Sequence, residues 1–486
     1  MVIQLNPATP AGEAVILPMS QGPELAARLT EVAARQGVAP AWLQQLFKAD
    51  QKEILAVPGP QPLWLLGLGS SLTFARICSA FRAFSHRMAS RLPAATSVEI
   101  PPYFPADLVA EAAVNGLLLG RYRLGLYKTQ KESPAPWHSA EARLFIQAPH
   151  GGETLDDAVR RGQVTAEVQL RVFDLVNMPA NKLTPLDLAA WARESGLTYG
   201  YQVFVMDKSE IEIAGMHALL SVNRGSELPP VCIVAHYKHE GIENPVSIGL
   251  VGKGITFDTG GISLKDSNNM HLMKCDMAGA AAVLGTIELA ARLALPVEIV
   301  AIVPSTENSI DAEATFPGDV IRSYAGKTIE VIDTDAEGRL ILADGLSYLC
   351  RNYQPDKLVD LATLTGNCVM ALGNHAAGLF TANDRMAVSL AEAGHDSGER
   401  VWRLPLWEEY MDDMKSDIAD IRNFSGKPTA GAITAAKFLE VFTDQHPAWA
   451  HLDIAGVAFT DSEFAGQRSA TAWGIRLLTT WMQNLD

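Results

Sequence analysis

The sequence predicts a two-domain α/β protein. A smaller N-terminal α/β domain precedes a larger C-terminal α/β domain whose mostly parallel central sheet is flanked by helices. Three observations predict it. The chain is 486 residues long, which suits two or three domains with ample core. His150-Gly151-Gly152 marks a break, followed by an acidic helix start at 153–157. From about residue 180, short runs rich in Val and Ile alternate with helical patterns. The expected boundaries are 1–150 for the first domain, 151–180 for a linking helix and 181–486 for the second.

Within 1–150, Glu24–Arg35 and Pro40–Ala49 read as helices, and ILAVPG (54–59) with LWLLGLG (63–69) as strands joined by a turn. LGLGSS lacks the GxGxxG spacing and a following cation, so the expectation is a glycine turn before a helix over 71–89, not a phosphate loop. ARLFIQAP (142–149) reads as a further strand, and a helical pattern runs from the acidic start to about Val176. Farther on, PVCIVAHY (230–237), VSIGLVGK (246–253), VEIVAIVP (297–304), TIEVID (328–333) and KLVDLATL (357–364) read as buried strands, with a helix at Ala278–Leu293. In such sheets ligands lie beyond the carboxyl ends of strands. Lys253, Asp333–Arg339 and the Thr363–Gly366 turn are expected there.

A net charge of −16 argues against general affinity for DNA or anionic membranes. The five cysteines are scattered without a CxxC pair, which points to a reducing cytoplasm. No signal peptide is expected from the N-terminal stretch, and no apolar run reaches the roughly 18–20 residues of a membrane span.

Charge is concentrated in two runs, Val251–Met277 and Val331–Leu346. Together they hold Lys253, Asp258, Lys265, Asp276, Asp335, Glu337 and Arg339. If the runs meet, four carboxylates converge, and like charges roughly 3–4 Å apart cannot all stay ionised unaided. Divalent cations relieve that repulsion, and carboxylate-rich donors suit Zn, Mn, Mg or Co. The other reading is surface charge beside glycine turns. The apolar Val331-Ile332 and Leu340-Ile341-Leu342 that flank the second run favour a loop at the end of a buried strand.

DTDAEGRL (333–340) resembles the NTDAEGRL signature of the leucyl (cytosol) aminopeptidases, a family of hexameric two-metal peptidases. VGKGITFD (251–258), the lysine of GISLK, the aspartate of KCDM, DLVNMPANKLTP (174–185), FPGDVI (316–321), DLATLTGNCVMALG (360–373), SDIADIRN (416–423), AGAITAAKFL (430–439) and AHLDIAG (450–456) resemble its other blocks in order. The likeness spans roughly 170–480.

The resemblance implies a catalytic C-terminal domain that removes N-terminal residues from peptides. One metal would be held by Asp258, Asp276, Glu337 and the amine of Lys253, the other by Asp258, Glu337 and Asp335. A water activated by both ions would attack the scissile carbonyl. Lys265 would stabilise the oxyanion, and Arg339 would hold a bicarbonate that carries the proton. Met273, Thr363, Leu364 and Gly366 would contact the substrate, with Leu- or Met-type first residues preferred. The ions would be Mn or Zn, with Mg or Co as further candidates, and the assembly a cytoplasmic homohexamer. Asp333 departs from the family's Asn, and the segment DSNNMHL (266–272) departs from its usual run.

Cys275 has no accompanying histidine motif and reads as a small packing residue. His271 reads as near the site without a catalytic role. Two further functions compete, a non-catalytic scaffold with a role in DNA architecture and another two-metal hydrolase such as a phosphatase. The first has no need of seven clustered charges. The second needs more phosphate-binding cations than Lys265 and Arg339.

Overall fold

In the computed structural model the described residues are 1–6, 13–130, 134–149, 153–464, 466 and 468–485. The break expected at His150-Gly151-Gly152 lies outside them. The chain folds as two compact units, one of residues 1–170 with 463–466 and one of residues 171–462 with 467–486. The division falls inside a single long helix, Glu153–Asn177.

The first unit is built on a six-stranded sheet in the order Val2–Leu5, Arg143–Gln147, Ala95–Glu99, Ala14–Met19, Leu63–Gly67, Ile54–Val57. All neighbours are parallel except the last pair. Helices Phe74–Met88 and Ala106–Leu119 lie close together, because Gly116 has no side chain. A Cβ there would stand 2.3 Å from the Cys78 carbonyl oxygen.

The second unit carries the larger sheet, in the order Val401–Arg403, Ala377–Phe380, Trp449–Asp453, Lys357–Ala362, Val246–Gly252, Val297–Asn308, Val231–Lys238, Gln202–Met206. The four strands from Trp449–Asp453 to Val297–Asn308 run parallel, and antiparallel pairings begin on either side of them. Gly254–Asp258 pairs parallel to the end of Val297–Asn308, so the chain breaks strand at Lys253 and resumes one residue later.

One expected strand sits elsewhere. Of TIEVID, only Thr328–Glu330 is extended, and it pairs with Val320–Arg322 and Ile421–Arg422 in a separate three-stranded sheet. The loop that follows it therefore does not extend a central strand.

Helix Ala278–Leu293 is alanine- and glycine-rich and buried almost throughout. Its first turn presses on the strand ends, where a Cβ on Gly279 would lie 2.2 Å from the Leu361 carbonyl oxygen. The Ala280 amide donates to the Lys253 carbonyl (2.9 Å) and the Lys253 amide to that of Leu361 (3.0 Å). Helix Gly338–Tyr353 buries Leu340, Ile341, Leu342, Leu346 and Leu349 in the main core of this unit.

Candidate metal centre

The site forms where the break after Val246–Gly252, the start of helix Ala278–Leu293, the loop 331–337 and the turn after Lys357–Ala362 converge. Lys253 is buried, and its Nζ lies 2.8 Å from Asp276 Oδ2 and 2.8 Å from Glu337 Oε1. It also donates to the Thr363 carbonyl at 2.9 Å. Lys265 Nζ lies 2.7 Å from Asp258 Oδ2 and contacts Asp335 Oδ1. Each lysine thus bridges two of the four carboxylates.

The supports are local. After Asp258 the chain turns through Gly260 (φ +89°) and Gly261 (φ +65°), a left-handed backbone that favours glycine. A Cβ on Gly260 would stand 2.8 Å from Asp335 Oδ1. Asp258 Oδ1 accepts from the Gly260 amide (2.9 Å) and from Asn308 Nδ2 (2.8 Å). Thr334 ties the turn to the second run, its hydroxyl donating to the Gly260 carbonyl (2.7 Å) and accepting from the Ser263 amide (2.8 Å).

The buried Asn423 side chain accepts from the Ile332 amide (2.8 Å) and donates to the Asp333 carbonyl (2.6 Å). Asp333 Oδ1 accepts from the Asp335 amide at 2.9 Å, closing a small loop that an asparagine oxygen would close equally. Asn308, Thr334 and Asn423 had no assigned role in the sequence, although Thr334 lies inside DTDAEGRL and Asn423 inside SDIADIRN.

Burial drives the electrostatics. It raises the carboxyls of Asp258 and Asp276 above their ordinary range, and neighbouring Glu337 adds to both. Asp335 is pushed up to about 7 by burial, Asp258 and Glu337. Burial also opposes the charge on Glu337, but Lys253 and Lys265 outweigh it and hold that carboxyl low. The same holds in reverse for the two lysines. Burial works against their charge, yet the surrounding carboxylates keep both ammonium groups above the ordinary lysine value.

The donors fit divalent cations. Carboxylate oxygens of Asp258, Asp335 and Glu337 all lie within 4.8 Å of one another, and the positive charge that balances the cluster comes from the two lysines.

Arg339 sits in the first turn of helix Gly338–Tyr353, and its Nη1 donates to the Asn423 carbonyl at 2.7 Å. Its Nε is buried without a hydrogen-bond partner among the described residues. Burial lowers its pKa to about 10 against the pull of Glu337, Asp333 and Asp453. Met273 is half-buried in the short 3₁₀ segment Met270–Cys275 ahead of Asp276. Thr363 Oγ1 donates to Asp276 Oδ1 at 2.7 Å, while Leu364 is half-buried and Gly366 exposed at the start of helix Gly366–Leu372. His271 is exposed in the same 3₁₀ segment as Met273. The Cys275 thiol is pushed up to about 12 by burial and by Asp276, so it stays protonated at neutral pH.

Residues 171–479 match the model of the cytosol aminopeptidase family, catalytic domain. A probable cytosol aminopeptidase of Chloroherpeton thalassium is 41% identical over 502 aligned positions, covering 97% of each chain. Tomato leucine aminopeptidase, solved as a mutant, is 31% identical with a TM-score of 0.88, covering 100% of this chain and 97% of its own. A bottromycin maturation enzyme solved in complex with Mn is 32% identical with a TM-score of 0.84, covering 97% of this chain and 99% of its own.

Proposed function

This chain belongs to the cytosol aminopeptidase family and is a metal-dependent aminopeptidase, and on that premise we propose a specific division of labour among its site residues. Lys253, Asp258, Asp276 and Glu337 would hold one divalent ion, and Asp258, Asp335 and Glu337 the other. When bound, such a pair lowers the pKa of a shared water toward neutrality and polarises the scissile carbonyl. The convergence of four carboxylates on two lysines in a largely buried pocket carries this reading.

Lys253 binds as a neutral amine, since only that form has a lone pair. The proton that Asp276 and Glu337 stabilise on it would pass to solvent as the ion enters. Lys265 keeps its proton and donates to the oxyanion that develops on the substrate carbonyl. Arg339 would hold a bicarbonate, which would supply a proton carrier for the leaving amine, and its buried, unpartnered Nε suits a small planar anion. Met273, Thr363, Leu364 and Gly366 contact the first residue of the peptide, with Leu or Met preferred. Mn and Zn are the proposed ions.

The active form is a cytoplasmic homohexamer. Among the described residues no helix is long and apolar enough to cross a membrane. A net charge of −16 disfavours a DNA-binding scaffold. The deciding assay compares amino-acid amides with phosphate esters in the presence of Mn or Zn. Hydrolysis of leucine amide with phosphate esters untouched is expected, and the opposite pattern would refute the assignment.

A further inference from the structure

The turn Thr363–Gly366 reaches the metal centre through two groups of one residue. Thr363 Oγ1 donates to Asp276 Oδ1 at 2.7 Å, and its carbonyl accepts from Lys253 Nζ at 2.9 Å. A neutral lysine amine has two N–H bonds and one lone pair. A carbonyl fixed on one of those N–H bonds restricts where the lone pair can aim. The position of the turn therefore sets the direction of two ligands together.

The turn is held from behind by Asp453. This residue ends strand Trp449–Asp453, in register with Ala362 at the end of Lys357–Ala362, and it is fully buried. Its Oδ1 accepts from the Leu364 amide (3.2 Å) and the Ala455 amide (3.1 Å). Its Oδ2 accepts from Thr365 Oγ1 at 2.6 Å. Thr365 Oγ1 in turn accepts from the Cys368 amide (3.1 Å), tying the turn to the helix that follows. A buried carboxylate is stable only while such donors are in place, so charge and turn hold each other.

The other carboxylates rest on different supports. Asn308 and the Gly260 amide hold Asp258, while Thr334 and Asn423 hold the backbone that carries Asp335. Asp453 does not touch that set.

We infer that Asp453 is a positioning residue for the Lys253–Asp276 half of the metal centre, acting through Thr363 and leaving the Asp335 half to its own supports. The inference rests on the two-ion reading above. Its test is metal retention by the full-length, Mn-loaded protein equilibrated against a graded chelator, with ions counted per chain. The parent releases two ions in two steps, and Asp276→Asn identifies the step that belongs to the Lys253–Asp276 half.

Asp453→Ala weakens that step by about 10–100-fold, and moves the other by less than about threefold. Asp453→Asn stays within about threefold of the parent, because its amide oxygen still accepts from Leu364 and its NH₂ donates to Thr365 Oγ1. Should Asp453→Ala fail to fold, Thr365→Val replaces it, with a smaller loss confined to the same step. Equal loss from both steps, loss from neither in a folded variant, or an Asp453→Asn as damaged as the alanine variant overturns the inference. A parent that holds fewer than two ions overturns the two-ion reading, and this inference with it.

Discussion

At the scale of single residues, the two lysines have different settings although the sequence offers them as a similar pair of cations. Lys265 touches Asp258 and Asp335 and is more open than the buried Lys253. If it stabilises the oxyanion, Lys265→Ala lowers kcat by about 10²–10³ with a smaller change in KM and with metal content unchanged. Loss of metal alongside activity would make it a scaffold residue instead. Cys275→Ser should keep most activity, because a thiol raised to about 12 offers no thiolate at neutral pH. A dead variant that still carries its metals would point to covalent chemistry. The charged residues of the centre were legible in the sequence because their types and spacing carry the chemistry. The supporting roles of Asn308, Thr334, Asn423 and Asp453 were not, because a hydrogen bond to a distant backbone leaves no local pattern, even where the residue lies inside a motif block, as the last three do. The one residue that departs from the family signature, Asp333, needs only an acceptor oxygen for the Asp335 amide, so its change of charge leaves that bond intact.

At the scale of elements, the β-branched runs of the second unit located most of its central strands, but not the sheet to which each belongs. A run such as TIEVID reports burial and extension. Its three-residue strand found partners at Val320–Arg322 and Ile421–Arg422, which no periodicity could reveal. In the first unit, Pro18 disguises the strand Ala14–Met19. It is tolerated because pairing with Ala95–Glu99 stops at Ile16, while pairing on the other side continues to Met19. The close seat of helix Ala278–Leu293 makes Gly279→Ala costly by about 1–3 kcal/mol, measurable by denaturant unfolding. An unchanged midpoint would show that the helix can shift. A pH effect belongs to the first unit. His138 Nδ1 accepts from Arg123 Nε at 2.8 Å, and its pKa is lowered to about 4 by burial, then by Arg123 and Arg121. The unfolded imidazole takes its proton near about 6.5, so stability is full above that pH and declines as pH falls toward about 4. His138→Gln should flatten this decline in thermal midpoints between pH 7 and 5, and an identical slope would rule the residue out.

For the whole molecule, the two units differ in what they bring. The family match covers residues 171–479, and the clustered carboxylates lie in that stretch, in loops at the ends of strands and at a helix start. Light scattering at assay concentration should give a hexamer, and a fully active monomer would remove the assembly from the account. The central claim is that the buried carboxylates and Lys253 exist to hold metal for peptide hydrolysis. Measuring ions per chain and leucine-amide hydrolysis on the same samples, before chelation, after chelation and after Mn or Zn is returned, tests it most directly. Two ions per chain, loss of activity in step with their removal and recovery on their return are predicted, with Asp276→Asn and Glu337→Gln losing metal and activity together. Full activity in protein verified to be free of metal would contradict it.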